Sequence, residues 1–397
     1  MTPLVIEKFT ATSCIGRGLE ETRRALMAQR TGLAPCAFET VDLATCVGEV
    51  EGIDAERLPS ALKQFDCRNN RLAQLGLKQD GFIDAVHASA GRWGRRRIGV
   101  FLGTSTSGIL ETELAYRRRD PRTGALPDDL CYSTTLNSFS VADFVRRALG
   151  LEGPAAVTSC ACSSSAKVFG SAWRMIEAGL IDAAVVGGVD SLCLTTLYGF
   201  HALQLTSTGP CRPFDVARDG ISISEAAAFA LLERPAASLD ADTVSLVGVG
   251  ESSDAYHMSS PHPQGLGARA AMLAALECAD LDREQIDYIN LHGTATPSND
   301  SAESQAVAAV FGGATPCSST KGATGHALGA AGALEAAISA LALRHQFMPA
   351  GSNTTQVDPA LPVAYLRENR MGPISRVLSN SFGFGGTNCS LVFARAG

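Results

Sequence analysis

The chain has 397 residues, is 46% hydrophobic and only 18% charged, and carries a formal net charge of -7. That length supports a large buried core, and the acidic balance argues against nucleic acid as a partner. No stretch of 18 residues is apolar and uncharged enough to span a bilayer; 327–343 comes nearest, and Glu335 interrupts it.

Strand-like runs at 4–6, 98–102, 155–159, 183–186 and 227–232 alternate with helical runs, and a second set follows at 244–250, 288–291, 377–379 and 390–393. This alternation predicts an α/β fold. The polar, proline-containing stretch 234–243 separates two similarly organised halves, expected at 1–238 and 239–397. One predicted helix starts near Cys162 and runs to about Ala178; another runs from about His326 to Arg344. Both are apolar nearly all round, which predicts buried helices with sheets on either side. Residues 1–10 carry Glu7 and Lys8 and lack a signal-peptide pattern, so a cytoplasmic location is expected. The twelve scattered cysteines then read as free thiols rather than a disulfide framework.

Four segments carry chemistry. Cys162 lies in Thr-Ser-Cys-Ala-Cys-Ser-Ser-Ser-Ala (158–166), a strand turning into a buried helix. The free N–H groups and dipole of a helix N-terminus stabilise a thiolate and can hold an oxyanion. A buried structural cysteine is the plainer alternative, and Cys160 is assigned to it. His292 opens His-Gly-Thr-Ala-Thr-Pro directly after a strand, where α/β active sites form; a histidine bonded to loop backbone is an equal alternative. Lys321 and His326 lie in Ser-Thr-Lys-Gly-Ala-Thr-Gly-His (319–326). Only five lysines occur, at 8, 63, 78, 167 and 321. One inside an apolar Gly/Ala-rich stretch needs a buried carboxylate, for which Glu303 is the candidate. Asn-Ser-Phe-Gly-Phe-Gly-Gly-Thr-Asn (380–388) reads as a turn between two strands whose glycines permit close approach to a ligand.

In order and spacing, these segments resemble the β-ketoacyl-acyl carrier protein synthases, with the elongating bacterial type the nearest pattern. The resemblance extends to 209–220 and 253–258 and so spans essentially the whole chain. It implies a thiolase-like fold, two similar βα halves in a five-layered αβαβα arrangement. It implies a decarboxylative condensation of an acyl group on Cys162 with malonyl-carrier protein. His292 and His326 would bind the malonyl thioester carbonyl, and Lys321 and Glu303 would form a supporting ion pair. Thr294 and Thr296 would contact the pantetheine arm. Phe384 would gate Cys162 and lend its N–H to the oxyanion hole. Phe200 would face the acyl pocket, with Thr106 at its far end near the dimer interface. The implied partner is an acyl carrier protein, whose phosphopantetheine arrives with the substrate; no metal or other cofactor is implied. The implied assembly is a homodimer, or a heterodimer with a chain-length-factor-like subunit.

Segments 68–70, 104–108 and 261–265 are similar to discrete ketosynthases of aryl polyene-type pathways. Two departures from the family pattern are Ile-Ser-Ile-Ser-Glu-Ala-Ala-Ala (221–228), in place of a glycine-rich version, and Asn299 in place of glycine. Carrier docking is expected on Arg117, Arg118, Arg119 and Arg122, or on Arg68 with Arg71. A thiolase would need a second cysteine in the C-terminal glycine-rich loop; here Cys389 falls just after it. A non-catalytic chain-length factor would lose the nucleophile that this chain keeps.

Overall fold

The structure is a computed structural model that describes residues 1–236 and 239–396. The expected boundary at 238/239 therefore falls partly outside the described residues.

Eleven strands form one hydrogen-bonded path: β1 (Leu4–Ser13), β2 (Ile98–Gly103), β3 (Ala155–Thr158), β4 (Ala183–Asp190), β5 (Ala226–Glu233), β6 (Val244–Ser253), β7 (Tyr288–Asn290), β8 (Pro316–Ser318), β9 (Ala364–Tyr365), β10 (Arg376–Gly383) and β11 (Thr387–Arg395). Their spatial order is β9-β8-β7-β10-β11-β6-β1-β5-β4-β2-β3, with Gly16–Arg17 added beside β1. Two five-strand patterns repeat within it. In the first half β1 pairs antiparallel with β5, β5 antiparallel with β4, β4 parallel with β2, and β2 parallel with β3. In the second half β6 pairs antiparallel with β11, β11 antiparallel with β10, β10 parallel with β7, and β7 parallel with β8. The halves meet where Leu4 faces Leu246 and Val5 faces Ser245. Strands β8 and β9, of three and two residues, are too short to show a period in the sequence.

Seven helices matter here: α1 (Arg68–Leu77), α2 (Ser140–Ala148), α3 (Ser164–Glu177), α4 (Leu194–Ala202), α5 (Leu266–Ala279), α6 (Pro297–Phe311) and α7 (Ala331–His345). Side chains on β5 alternate, as a two-residue period requires. Ala226, Ala228, Ala230 and Leu232 join a core with α3 and α7, whereas Ala227, Phe229 and Leu231 join one with α1 and α2. A third core packs α5 and α6 against β7, β10 and β11. Three cores separate five layers: outer helices, half-sheet, α3 with α7, half-sheet, outer helices. Residues 331–343 of α7 are buried on every face, as expected. Helix α3 is less uniform, because Arg174 and Glu177 are exposed and Arg174 pairs with Glu251.

Candidate active site

The site forms where the two central helices begin. Strand β3 ends in a turn at Cys160 and Ala161, and Ala161 has φ 53°. A left-handed conformation in a residue other than glycine costs on the order of 1–3 kcal/mol, and such strain clusters at functional sites. The turn is packed tightly: a Cβ on Gly103 would lie 2.3 Å from the Ser165 nitrogen, so only glycine lets β2 pass beneath the start of α3. Ser165 Oγ accepts a hydrogen bond from Ala333 N at 2.9 Å and joins the two central helices.

Cys162 is buried, and its Sγ lies 3.0 Å from His326 Nε2. The Phe384 N–H also donates to it, and Gly383 lies against the Cys162 amide where a side chain would intrude. Burial pushes the Cys162 thiol up to about 12, while Lys321 and the Phe384 amide act in the opposite direction. The resting group is a thiol. This corrects the thiolate expected from the helix terminus. Cys162 precedes α3 by two residues, and burial raises its thiol more than Lys321 and the Phe384 amide lower it. His326 is likewise not at the start of α7. Gly325 and Leu328 have φ 71° and 48°, and a short helical turn at Leu328–Ala330 comes between. Instead His326 is held as a strand bridge, its N donating to Ser222 O at 2.8 Å and its O accepting from Ser224 N at 3.0 Å.

The His292 ring stands edge-on to His326, with centroids 5.4 Å apart at 84°. Both rings are buried and are held well below the usual imidazole range by desolvation, with Lys321 adding to the effect; both are therefore neutral. Lys321 Nζ donates to His292 O at 2.6 Å and lies 3.4 Å from His292 Nδ1. A lysine donor at Nδ1 leaves the ring proton on Nε2, which makes Nε2 a donor.

The carboxylate paired with Lys321 is Glu335, on α7, and not Glu303. The expected Lys321–Glu303 pair is thus overturned. Glu303, on α6, receives His292 N at 2.8 Å and Gly293 N at 2.7 Å, with Asn380 Nδ2 at 3.1 Å. Two adjacent amides aimed at one point need a two-oxygen acceptor, and the helix entered at Pro297 supplies it. The signal for Glu335 was already in the sequence. It is the one charge in an apolar run, fourteen residues after an isolated lysine.

A cleft opens onto Cys162, His292 and His326. Thr294 and Thr296 line it, their hydroxyls 2.9 Å apart, as do Phe200 and Phe384, whose rings are 5.7 Å apart. Asn299 also lines it. Thr106 does not. Its hydroxyl donates to Asp190 at 2.8 Å, with Thr104 Oγ1, Ser105 N and Thr106 N on the same oxygen, while Gly329 N donates to the other. Five donors thus converge on one buried carboxylate. The glycine-rich segment forms the tip of the β10–β11 hairpin, with Gly385 and Gly386 at φ 81° and 75°. Arg68 is 3% exposed and ion-paired to Glu225, so the Arg68/Arg71 docking cluster is also overturned. Arg117, Arg118, Arg119 and Arg122 are exposed.

A cysteine and two neutral histidines around one cleft, drawn from both halves of a duplicated αβαβα fold, define a condensing enzyme. Family models agree: "Beta-ketoacyl synthase, N-terminal domain" matches residues 1–237, and "Beta-ketoacyl synthase, C-terminal domain" matches 244–355. The chain belongs to the β-ketoacyl synthase family and has its thiolase-like fold. It is 32% identical to 3-oxoacyl-[acyl-carrier-protein] synthase 2 of Vibrio cholerae over 99% of both chains. It superposes with TM-score 0.89 and 38% identity on a chain of the complex of the ketosynthase ApeO with its chain length factor ApeC from Xenorhabdus doucetiae, covering 100% of this chain and 98% of that one. A β-ketoacyl synthase from Burkholderia phymatum matches with TM-score 0.88 and 32% identity over the full length of both.

Proposed function

We propose that the protein is an elongating ketosynthase that condenses a Cys162-bound acyl group with malonyl-carrier protein, giving 3-oxoacyl-carrier protein and CO2. The observation that carries this reading is Cys162 Sγ 3.0 Å from His326 Nε2, with His292 beside it. In the first half-reaction Sγ attacks the acyl thioester while its proton passes to His326 and on to the departing pantetheine sulfur. The Phe384 N–H faces the oxygen that gains charge. In the second, loss of CO2 leaves an enolate, and His292 Nε2–H with the His326 ring stabilises its oxygen. The enolate carbon then attacks the acyl-enzyme and expels Cys162 as a thiolate, which takes up a proton from solvent by way of His326 to return to the thiol.

The pantetheine arm enters past Thr294 and Thr296, and the acyl chain lies beside Phe200. Phe384 swings aside to admit it. The pathway is a fatty acid or an aryl polyene/polyketide-type synthesis in the cytoplasm; segments 68–70, 104–108 and 261–265 favour the latter, and the 38% identity is to a chain of a ketosynthase–chain length factor complex. That likeness also supports a dimer, with a chain-length-factor-like subunit as partner in preference to a second copy. A non-catalytic role is disfavoured by the intact cysteine and histidines.

The three donor atoms lie within 4.8 Å of one another, a spacing that would also suit a metal ion; the reaction as proposed uses none. The test is condensation of acyl- and malonyl-carrier protein followed by mass spectrometry of the carrier, with and without EDTA. Product gained by two carbons at equal rates supports the reading. A product that forms only with added metal, or none at all, overturns it.

A further inference from the structure

Segment 221–225, which departs from the family pattern, holds His326 in place, and its own anchor is a buried ion pair. Glu225 is fully buried. Its two oxygens take Arg68 Nε at 2.9 Å and Nη2 at 2.8 Å, a bidentate fork. They also accept Val50 N at 2.9 Å and Leu192 N at 3.0 Å. Four donors from three separate segments thus converge on one carboxylate. Arg68 is braced further by Asp54 at 2.9 Å, by Glu49 at 3.2 Å and by the Phe38 ring 5.0 Å away.

One residue from Glu225, Ser224 N donates to His326 O, and Ser222 O accepts from His326 N. On the far side of the same segment, Gly48 N donates to Ile223 O and Glu225 N to Gly48 O. Ile221, at its start, lines the cleft. The side chain at 225 therefore fixes the register of a short strand laid between 48 and 326, and that strand sets the backbone of the histidine 3.0 Å from Cys162.

We infer that Arg68 and Glu225 are positioning residues: their buried fork, acting through strand segment 221–225, holds His326 at its working distance from Cys162. This rests on the condensing reading for its catalytic consequence, but the geometry can be read without catalysis. Arg is required because a lysine is a point donor and cannot span both oxygens. A misplacement of about 1 Å at a reacting group costs up to roughly a hundredfold in rate.

Three variants test it, each studied well below its melting temperature: Arg68→Lys, Glu225→Gln, and the milder Asp54→Asn, which changes only an exposed brace. Two quantities are measured. One is malonyl-carrier decarboxylation, split into kcat and KM. The other is the pH profile of Cys162 alkylation by iodoacetamide, which reads the cysteine–histidine contact directly. The expected result is a kcat lower by roughly ten- to a hundredfold for Arg68→Lys or Glu225→Gln with little change in KM. The alkylation profile should move to higher pH, because a displaced His326 no longer accepts the thiol proton. Asp54→Asn should shift both in the same direction by less. Folded variants with the parental kcat and an unchanged alkylation profile overturn the inference. If Arg68→Lys and Glu225→Gln do not fold, an Asp54→Asn protein with parental values does the same. A parent that neither decarboxylates nor condenses, while its variants still shift the alkylation profile, would remove the condensing reading and leave the positioning intact.

Discussion

Lys321 bonds at once to the carbonyl oxygen of His292 and to the carboxylate of Glu335, so one side chain ties the His292 loop to the helix that follows His326. Removing it should act twice. Lys321→Ala leaves Glu335 as a buried, unpaired charge, which costs about 3–5 kcal/mol. It also frees the His292 ring to change tautomer. The double variant Lys321→Met with Glu335→Leu should recover most of the stability and none of the decarboxylation rate. Recovery of both by the double variant would show that the pair is structural only.

Replacing His292 or His326 with alanine should lower decarboxylation by about 10²–10³-fold, the usual effect of losing one preorganised donor. Acylation of Cys162 should survive better in His292→Ala than in His326→Ala, since only His326 contacts the sulfur. Peptide mapping after single-turnover acylation should find the acyl group on Cys162 and not on Cys160. Label on Cys160, or condensation by Cys162→Ala, would sink the assignment.

Burial raises the Glu303 carboxyl to about 7 from an ordinary 4.5, against the pull of the two loop amides. An acid that holds its proton more tightly when folded contributes its full stabilisation below about pH 4.5 and loses it as pH rises toward 7, by at most roughly 3 kcal/mol. Stability curves of the parent and of Glu303→Gln, taken from pH 5 to 8, should therefore diverge, the parent gaining on the variant as pH falls. Parallel curves would exclude this titration.

Phe384 is half-buried and rests on Phe200, so it is not a core ring. Phe384→Ala should melt close to the parent, well short of the 3–5 kcal/mol loss typical of a buried phenylalanine. Its single-turnover acylation should change in rate or chain-length preference. A protein with much lower stability and unaltered acylation would refute the gate.

With Arg68 withdrawn into the interior, we propose carrier docking on the exposed arginines at 117, 119 and 122. Arg118 is engaged with Asp129 at 3.0 Å. Charge reversal at the three should raise KM for the carrier protein and flatten its dependence on salt. An unchanged KM places docking elsewhere.

The long strands and both central helices were readable because burial on two faces leaves continuous apolar runs and strong turn signals. The four catalytic segments were readable because a cysteine, two histidines and a lysine stood in glycine-rich, otherwise unreactive sequence. Partnerships were harder. Glu303 and Glu335 look alike along the chain, and only the packing of α7 against the His292 loop tells which one meets Lys321. Arg68 reads as a surface charge because nothing local reveals that Glu225, 157 positions away, will enclose it. Nor does anything local reveal that Asp190, 84 positions away, takes the Thr106 hydroxyl.

The repeated sheet also bears on how the molecule forms. Strand β11 comes last among the eleven, yet it lies inside the second half, between β10 and β6, and its hairpin tip completes the Cys162 environment. Strand β1, the first, pairs with β5 more than 200 residues later and also touches β6. Such distant pairings close slowly, because loop entropy is lost before the contacts form. A nascent chain therefore exposes the facing edges of β6 and β7 until its final hairpin slots in. During that interval it is open to aggregation and to chaperone capture, and its cysteine–histidine site is not yet assembled.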